Sequence, residues 1–220
     1  MARRRNRDNG GRYRRRGPVR DPYEAVLVVC EGKKTEPNYF NELRDLLRLS
    51  SANVQAVPSD YGNDPVSVVR YAEDRLNSQD GYDKVYCVFD RNGHANFDEA
   101  RQRIRNSVDG QQGTLVEAAS TPCFEFWILL HFVYTAAPQN AVGGRSSCRR
   151  VIDRLERDFL PEYQKNFSGV FDQLASRLDV AVTNADRLEA QNGASLSANP
   201  STSVHNLVSY LRTLRKGNLD

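Results

Sequence analysis

The chain has 220 residues, 39% hydrophobic and 27% charged, with a formal net charge of +3. That is the balance of an ordinary soluble globular protein, long enough for a substantial core. The longest apolar run, residues 124–134, is interrupted by Glu125 and His131. It falls well short of the roughly 20 apolar residues of a membrane span, so no membrane association is expected.

The charge is unevenly spread. Residues 1–20 hold nine arginines and one aspartate, a local +8 that leaves −5 for the other 200 residues. This stretch has almost nothing apolar to bury, and disorder is the expectation. It has no apolar core behind the arginines, so it does not read as a secretory signal. Arginine forks phosphate through two parallel hydrogen bonds. Arg3, Arg4, Arg5, Arg14, Arg15 and Arg16 are therefore candidates for salt-sensitive contact with nucleic acid, RNA or DNA. A solubilising tail, or an arm binding an acidic surface of another subunit, stays open beside that reading. Homo-oligomerisation is allowed by the sequence.

Residues 25–30 (AVLVVC) form a valine-rich run suited to a strand buried on both faces. Thr35 is placed to cap a helix running to about Leu49, with Pro37 in its first turn. Residues 53–58 read as a weaker second strand. Asp64-Pro65 opens a helix to about Leu76. Residues 84–89 (KVYCVF) are a third buried strand, ended by Asp90. A helix from Asn96 or Asp98 to about Asn106 and a fourth strand over residues 113–119 complete a strand–helix alternation. This predicts an α/β fold with a mostly parallel four-stranded sheet flanked by helices.

After Thr121-Pro122 the pattern changes. Residues 123–134 (CFEFWILLHFVY) read as a buried helix. Residues 136–147 are loop-like. Helices are expected at about 147–159, at 167–191 with a break near Thr183, and at 202–216 with Ser201 or Thr202 as cap. The expected division is a disordered tail (1–20), an α/β core (21–135) and a helical extension packed on that core (136–220). Cys30, Cys87, Cys123 and Cys148 are far apart with no C-x-x-C spacing. They read as reduced thiols of a cytoplasmic protein, and the spacing argues against a zinc site.

Two acids stand at the carboxyl ends of the most buried strands: Glu31 after AVLVVC and Asp90 after KVYCVF. Ligands of open α/β sheets bind outside those ends. If the strands are neighbours, the backbones are about 4.8 Å apart. Carboxylates that close repel unless a cation lies between them. Magnesium or manganese suits such a pair, with Asn92 as a neutral oxygen donor. Lys33, Lys34, Arg91 and His94 lie in the same loops and are candidates for holding phosphate.

The segments VLVVCEGKKTEPNYF, VYCVFDRNGH, STPCFEFWILLHF and NPSTSVHNLV, in that order, resemble the RloB family. The resemblance implies a Toprim-like core and a part in anti-phage defence. It also implies a partner ATPase that controls the effector, which agrees with the absence of any G-x-x-x-x-G-K-[ST] loop here. The Toprim pattern is a glutamate after the first strand and Asp-x-Asp after a later one. Glu31 and Asp90 match it. Asn92 stands where the second aspartate belongs, so a one-metal site or an altered activity is implied.

Glu125 is a charged group among apolar neighbours, costly unless paired or functional. It is a candidate third acid or general base. His131 falls in phase with Phe124 and Trp127 and reads as a core histidine. Phe124, Phe126 and Trp127 read as core rather than base-stacking residues. Ser120, Thr121 and Cys123 have no histidine at a spacing that would activate them. The expected function is a magnesium-dependent nuclease in which Glu31, Asp90 and Glu125 carry the chemistry. The alternatives are a non-catalytic nucleic-acid-binding or adaptor subunit with a degenerate site, and nucleotidyl transfer.

Overall fold

The structure is a computed structural model, and it describes residues 24–51, 53–164, 169–193 and 198–216. The arginine-rich segment, with Arg3, Arg4, Arg5, Arg14, Arg15 and Arg16, lies outside the described residues.

Four parallel strands form the sheet: β1 (Val26–Cys30), β2 (Val54–Pro58), β3 (Lys84–Asp90) and β4 (Leu115–Thr121). Between them run α1 (Thr35–Leu46), α2 (Pro65–Leu76), α3 (Phe97–Asn106) and the short α4 (Val108–Gln112). α5 (Phe124–Leu130), α6 (Ser147–Asp158), α7 (Val170–Leu174) and α8 (Leu178–Asn192) follow, and α9 (Val204–Lys216) comes last. A fifth strand, β5 (Ser201–Thr202), pairs antiparallel with β4, and the order is β2-β1-β3-β4-β5. Where four strands were expected, the described residues form five. Two residues carry no alternation for a sequence to show. They join the sheet because the Ser203 N–H reaches Ala119 O at 2.9 Å and the Thr202 hydroxyl meets that of Ser120 at 3.1 Å.

Strand alternation sorts the core into two layers. Val26, Val28, Cys30, Tyr86, Val88 and Ala118 face α1 together with α5, α6, α8 and α9. Leu27, Val29, Val85, Cys87, Phe89, Leu115 and Ala119 face α2 and α3. The helices that follow residue 136 therefore share one apolar cluster with α1 and the sheet. Among the described residues, no helix is long and apolar enough to cross a membrane.

Local chemistry sets the helix ends. Asp64 caps α2 by accepting the Ser67 N–H, and Ser146 caps α6 by accepting the Arg149 N–H. Thr35 is already the first residue of α1; the cap position is Lys34, which makes no capping bond. The helix expected to reach Tyr134 ends at Leu130. There the bonds tighten: His131 N–H bonds Ile128 O and Phe132 N–H bonds Leu129 O, each three residues back. The expected break near Thr183 lies instead at a 3-10 turn, Ala175–Arg177, and Thr183 is inside α8. Ala181, Ala185 and Leu188 keep α8 continuous by facing the core together.

The order β2-β1-β3 positions the site. The chain leaves β1 toward β2 and returns on the other side to β3. The carboxyl ends of β1 and β3 thus flank the switch point, where helices on opposite faces leave a crevice. Cys30 is in register with Val88, and the Glu31 N–H continues the ladder to Val88 O at 2.9 Å.

Candidate metal centre

Glu31 is the first residue after β1, and Asp90 is the last of β3. Glu31 Oε2 accepts the Asp90 backbone N–H at 2.9 Å. Its Oε1 lies 2.9 Å from His94 Nε2. Burial raises the Glu31 pKa above the usual carboxylate range, and nearby Asp64 adds to this; the Asp90 N–H and His94 oppose it. Asp64 is in turn held by the Asn96 amide at 2.5 Å, in the loop before α3.

Asp90 is only 7% exposed. Its Oδ1 is buried without a hydrogen-bond partner. The pKa is held well above the ordinary range, first by burial, then by the charges of Glu36, Glu125 and Glu31. The Phe124 N–H, at the start of α5, acts in the other direction. An orphaned, buried carboxylate oxygen is costly, and among three more carboxylates it is costlier still.

Glu36 was absent from the residues singled out by sequence. It lies in the first turn of α1 and is buried. A signal did exist: Glu36 is in helical phase with Tyr39, Phe40 and Leu43, the buried face of α1. Its carboxylate lies against Gly32, where a Cβ would stand 1.9 Å from Glu36 Oε2. The glycine after Glu31 therefore gives this second acid its room.

Glu125, in the first turn of α5, is 2% exposed. The Cys148 thiol and the Tyr163 hydroxyl each approach its carboxylate at 3.5 Å. Cys123, Glu125 and Cys148 come together, with their donor atoms within 4.8 Å of one another. The long sequence separation of the two cysteines hid this meeting.

The other residues singled out by sequence divide. Asn92 is exposed; its N–H bonds Pro122 O, and it lines a cleft of about 420 Å³ with Ser146, Cys148, Arg149, Ile152, Glu156 and Gln164. Lys33 and Lys34 are exposed in the turn after Glu31. His94 is drawn onto Glu31. Arg91 turns away: it bonds Asp98 at 2.8 Å and lies 4.7 Å from the Phe97 ring centre. His131 is a core residue between Trp127 O and the Tyr39 hydroxyl, and burial lowers its pKa to about 4. Phe124, Phe126 and Trp127 are buried in the core. The Ser120 hydroxyl is taken up by Thr202.

Glu31, Glu36 and Glu125, from the end of β1 and the first turns of α1 and α5, thus surround Asp90 closely enough for their charges to act on it. A set of carboxylate oxygens with one left unpartnered suits a hard divalent cation.

A family model described as RloB-like protein matches residues 26–211. The match covers most of the chain, which belongs to that family. No curated protein and no solved structure matches it.

Proposed function

The chain is a member of the RloB-like family in which Glu31, Glu36 and Glu125 surround a buried Asp90, and we propose that it is a magnesium- or manganese-dependent nuclease with a Toprim-like core. On this reading it is an effector of anti-phage defence, and a partner ATPase controls it. The observation that carries the metal-dependent reading is Asp90 Oδ1, buried without a partner beside Glu31, Glu36 and Glu125. The defence role and the ATPase rest on the family alone.

Glu31 and Asp90 would hold the cation, with Asn92 as a neutral donor at the cleft side. The bound cation would offset the carboxylate repulsion and stabilise charge on a phosphodiester. The remaining work falls to the chain's own groups. His94 and the Asp90 N–H fix the Glu31 carboxylate. Lys33 and Lys34, exposed at the rim, are placed to hold the nucleic-acid backbone. Glu125 is the candidate base, taking a proton from water at its carboxylate.

The test is cleavage of labelled tRNA, single-stranded RNA and plasmid DNA across a magnesium and manganese titration, with Asp90→Asn beside the native chain. Metal-dependent cuts that vanish in the variant support the reading and name the substrate. Cuts that persist in the variant, or none with the ATPase partner added, overturn it.

Asn92 favours a second reading. It is exposed and uncharged where the Toprim pattern has an acid, which suits a non-catalytic binding subunit. Deleting residues 1–20 separates the two. A binder loses most of its affinity and salt dependence, whereas a nuclease keeps its cleavage rate at saturating substrate.

A further inference from the structure

Cys123 immediately precedes α5, and Cys148 lies in the first turn of α6. Both are free and buried. Their sulfurs and a Glu125 carboxylate oxygen lie within 4.8 Å of one another. The Cys148 sulfur stands 3.5 Å from Glu125 Oε2. A tetrahedral zinc ion, with Zn–S of about 2.3 Å and Zn–O of about 2.0 Å, sets such a pair about 3.5 Å apart. The Cys148–Glu125 spacing thus already matches that of two zinc ligands.

The chemistry differs from that of the Glu31–Asp90 pair. Two sulfurs and one oxygen select a borderline-soft divalent ion, which magnesium is not. The cleft lined by Asn92 and Arg149 reaches Cys148, so an ion has a route in and a source of water. Catalytic zinc sites have this make-up: three protein ligands and one water.

We propose that Cys123, Glu125 and Cys148 form a zinc-class metal site, distinct from the Glu31–Asp90 position and completed by water from the cleft. On binding, each S–H bond breaks. The sulfur keeps the electron pair and donates it to the metal, and the proton leaves to solvent; nothing is oxidised or reduced. With the ion bound, Glu125 is a ligand and no longer a free base. The assignment does not depend on the nuclease reading.

Cobalt(II) is the probe. The reduced, chelator-stripped full chain is titrated with cobalt, and the sulfur-to-cobalt charge-transfer absorption is followed in the near ultraviolet. The expected result is a saturable band at one ion per chain that zinc displaces. The Cys123→Ser, Cys148→Ser double variant should lose the band, while Cys87→Ser keeps it. Glu31→Gln should also keep it, so failure of the nuclease reading and failure of this one give different results. No band at saturating cobalt, or a band unchanged in the double variant, overturns the proposal. Should the double variant not fold, proton release on adding zinc to the native chain decides. Each of the two S–H bonds gives up its proton on binding, so release of about two protons per ion is expected. Release near zero overturns it.

Discussion

Glu31 grips Asp90 by its backbone: Glu31 Oε2 accepts the Asp90 N–H at 2.9 Å, and His94 Nε2 holds the other oxygen at 2.9 Å. One carboxylate therefore ties the ends of β1 and β3 together and aligns the neighbouring acid. His94→Ala removes the orienting partner without touching the pair. Loss of such a partner weakens metal affinity about 10–100-fold. Calorimetric titration with manganese checks this, and an unchanged affinity would remove His94 from the site.

The Asp90 carboxylate gives a pH dependence with a definite sign. Its pKa is raised in the folded chain, mainly by burial. Above the usual aspartate pKa the unfolded chain has lost this proton while the folded chain keeps it, so stability falls as pH rises. The metal-free protein should therefore lose Tm from pH 5 toward pH 8. A divalent cation, binding only the ionised site, should flatten that slope. Thermal melts with and without chelator measure both.

Asp90→Asn removes the ionisable group and keeps the shape. The metal-free variant should melt higher than the native chain at neutral pH, by about 2–4 °C for each kcal/mol that holding the Asp90 proton costs the folded chain. Its Tm should no longer respond to magnesium or manganese at this site. A variant that melts lower would mean that the bond accepted from the Phe124 N–H outweighs the cost of burial.

Gly32→Ala tests Glu36. The added Cβ would stand 1.9 Å from Glu36 Oε2, the far end of a flexible side chain rather than backbone. The substitution should displace that carboxylate and leave the fold standing. Metal affinity should drop at least tenfold while the melt shifts by about 1 kcal/mol or less. If affinity is retained, Glu36 does not serve the metal.

Deleting residues 1–20 should flatten the dependence of nucleic-acid affinity on salt. Each lost arginine–phosphate contact removes about 0.9 from the log–log slope on duplex DNA and about 0.7 on single strands. Fluorescence anisotropy at several salt concentrations reads it. An unchanged slope would leave the arginines to solubility or to an acidic surface of another subunit.

What the sequence revealed follows physical lines. Val26–Cys30 and Lys84–Asp90 are buried on both faces, so their apolar runs and the acids that end them were plain to read. Asp64 announces α2 because a cap is local chemistry. Glu36 escaped because an acid in a first turn is ordinary there; only its phase with Tyr39 and Phe40 marks it as buried. The Cys123–Cys148 meeting is a product of helix packing, which no spacing rule encodes. β5 was hidden because a two-residue strand has no period.

The pairing of β4 with β5 also bears on how the chain reaches this structure. Ser120 and Thr202 stand 82 positions apart, and the hydroxyl contact between them closes a long loop. Loop closure on that scale is costly before any contact rewards it, so such pairings form late. Until α8 and α9 have docked, the outer edge of β4 offers unpaired backbone to any passing strand, the usual route to sticking between half-folded molecules. Refolding yield should therefore fall steeply with protein concentration. The amide of Ser203, bonded to Ala119 O, should be among the last to gain protection from hydrogen exchange.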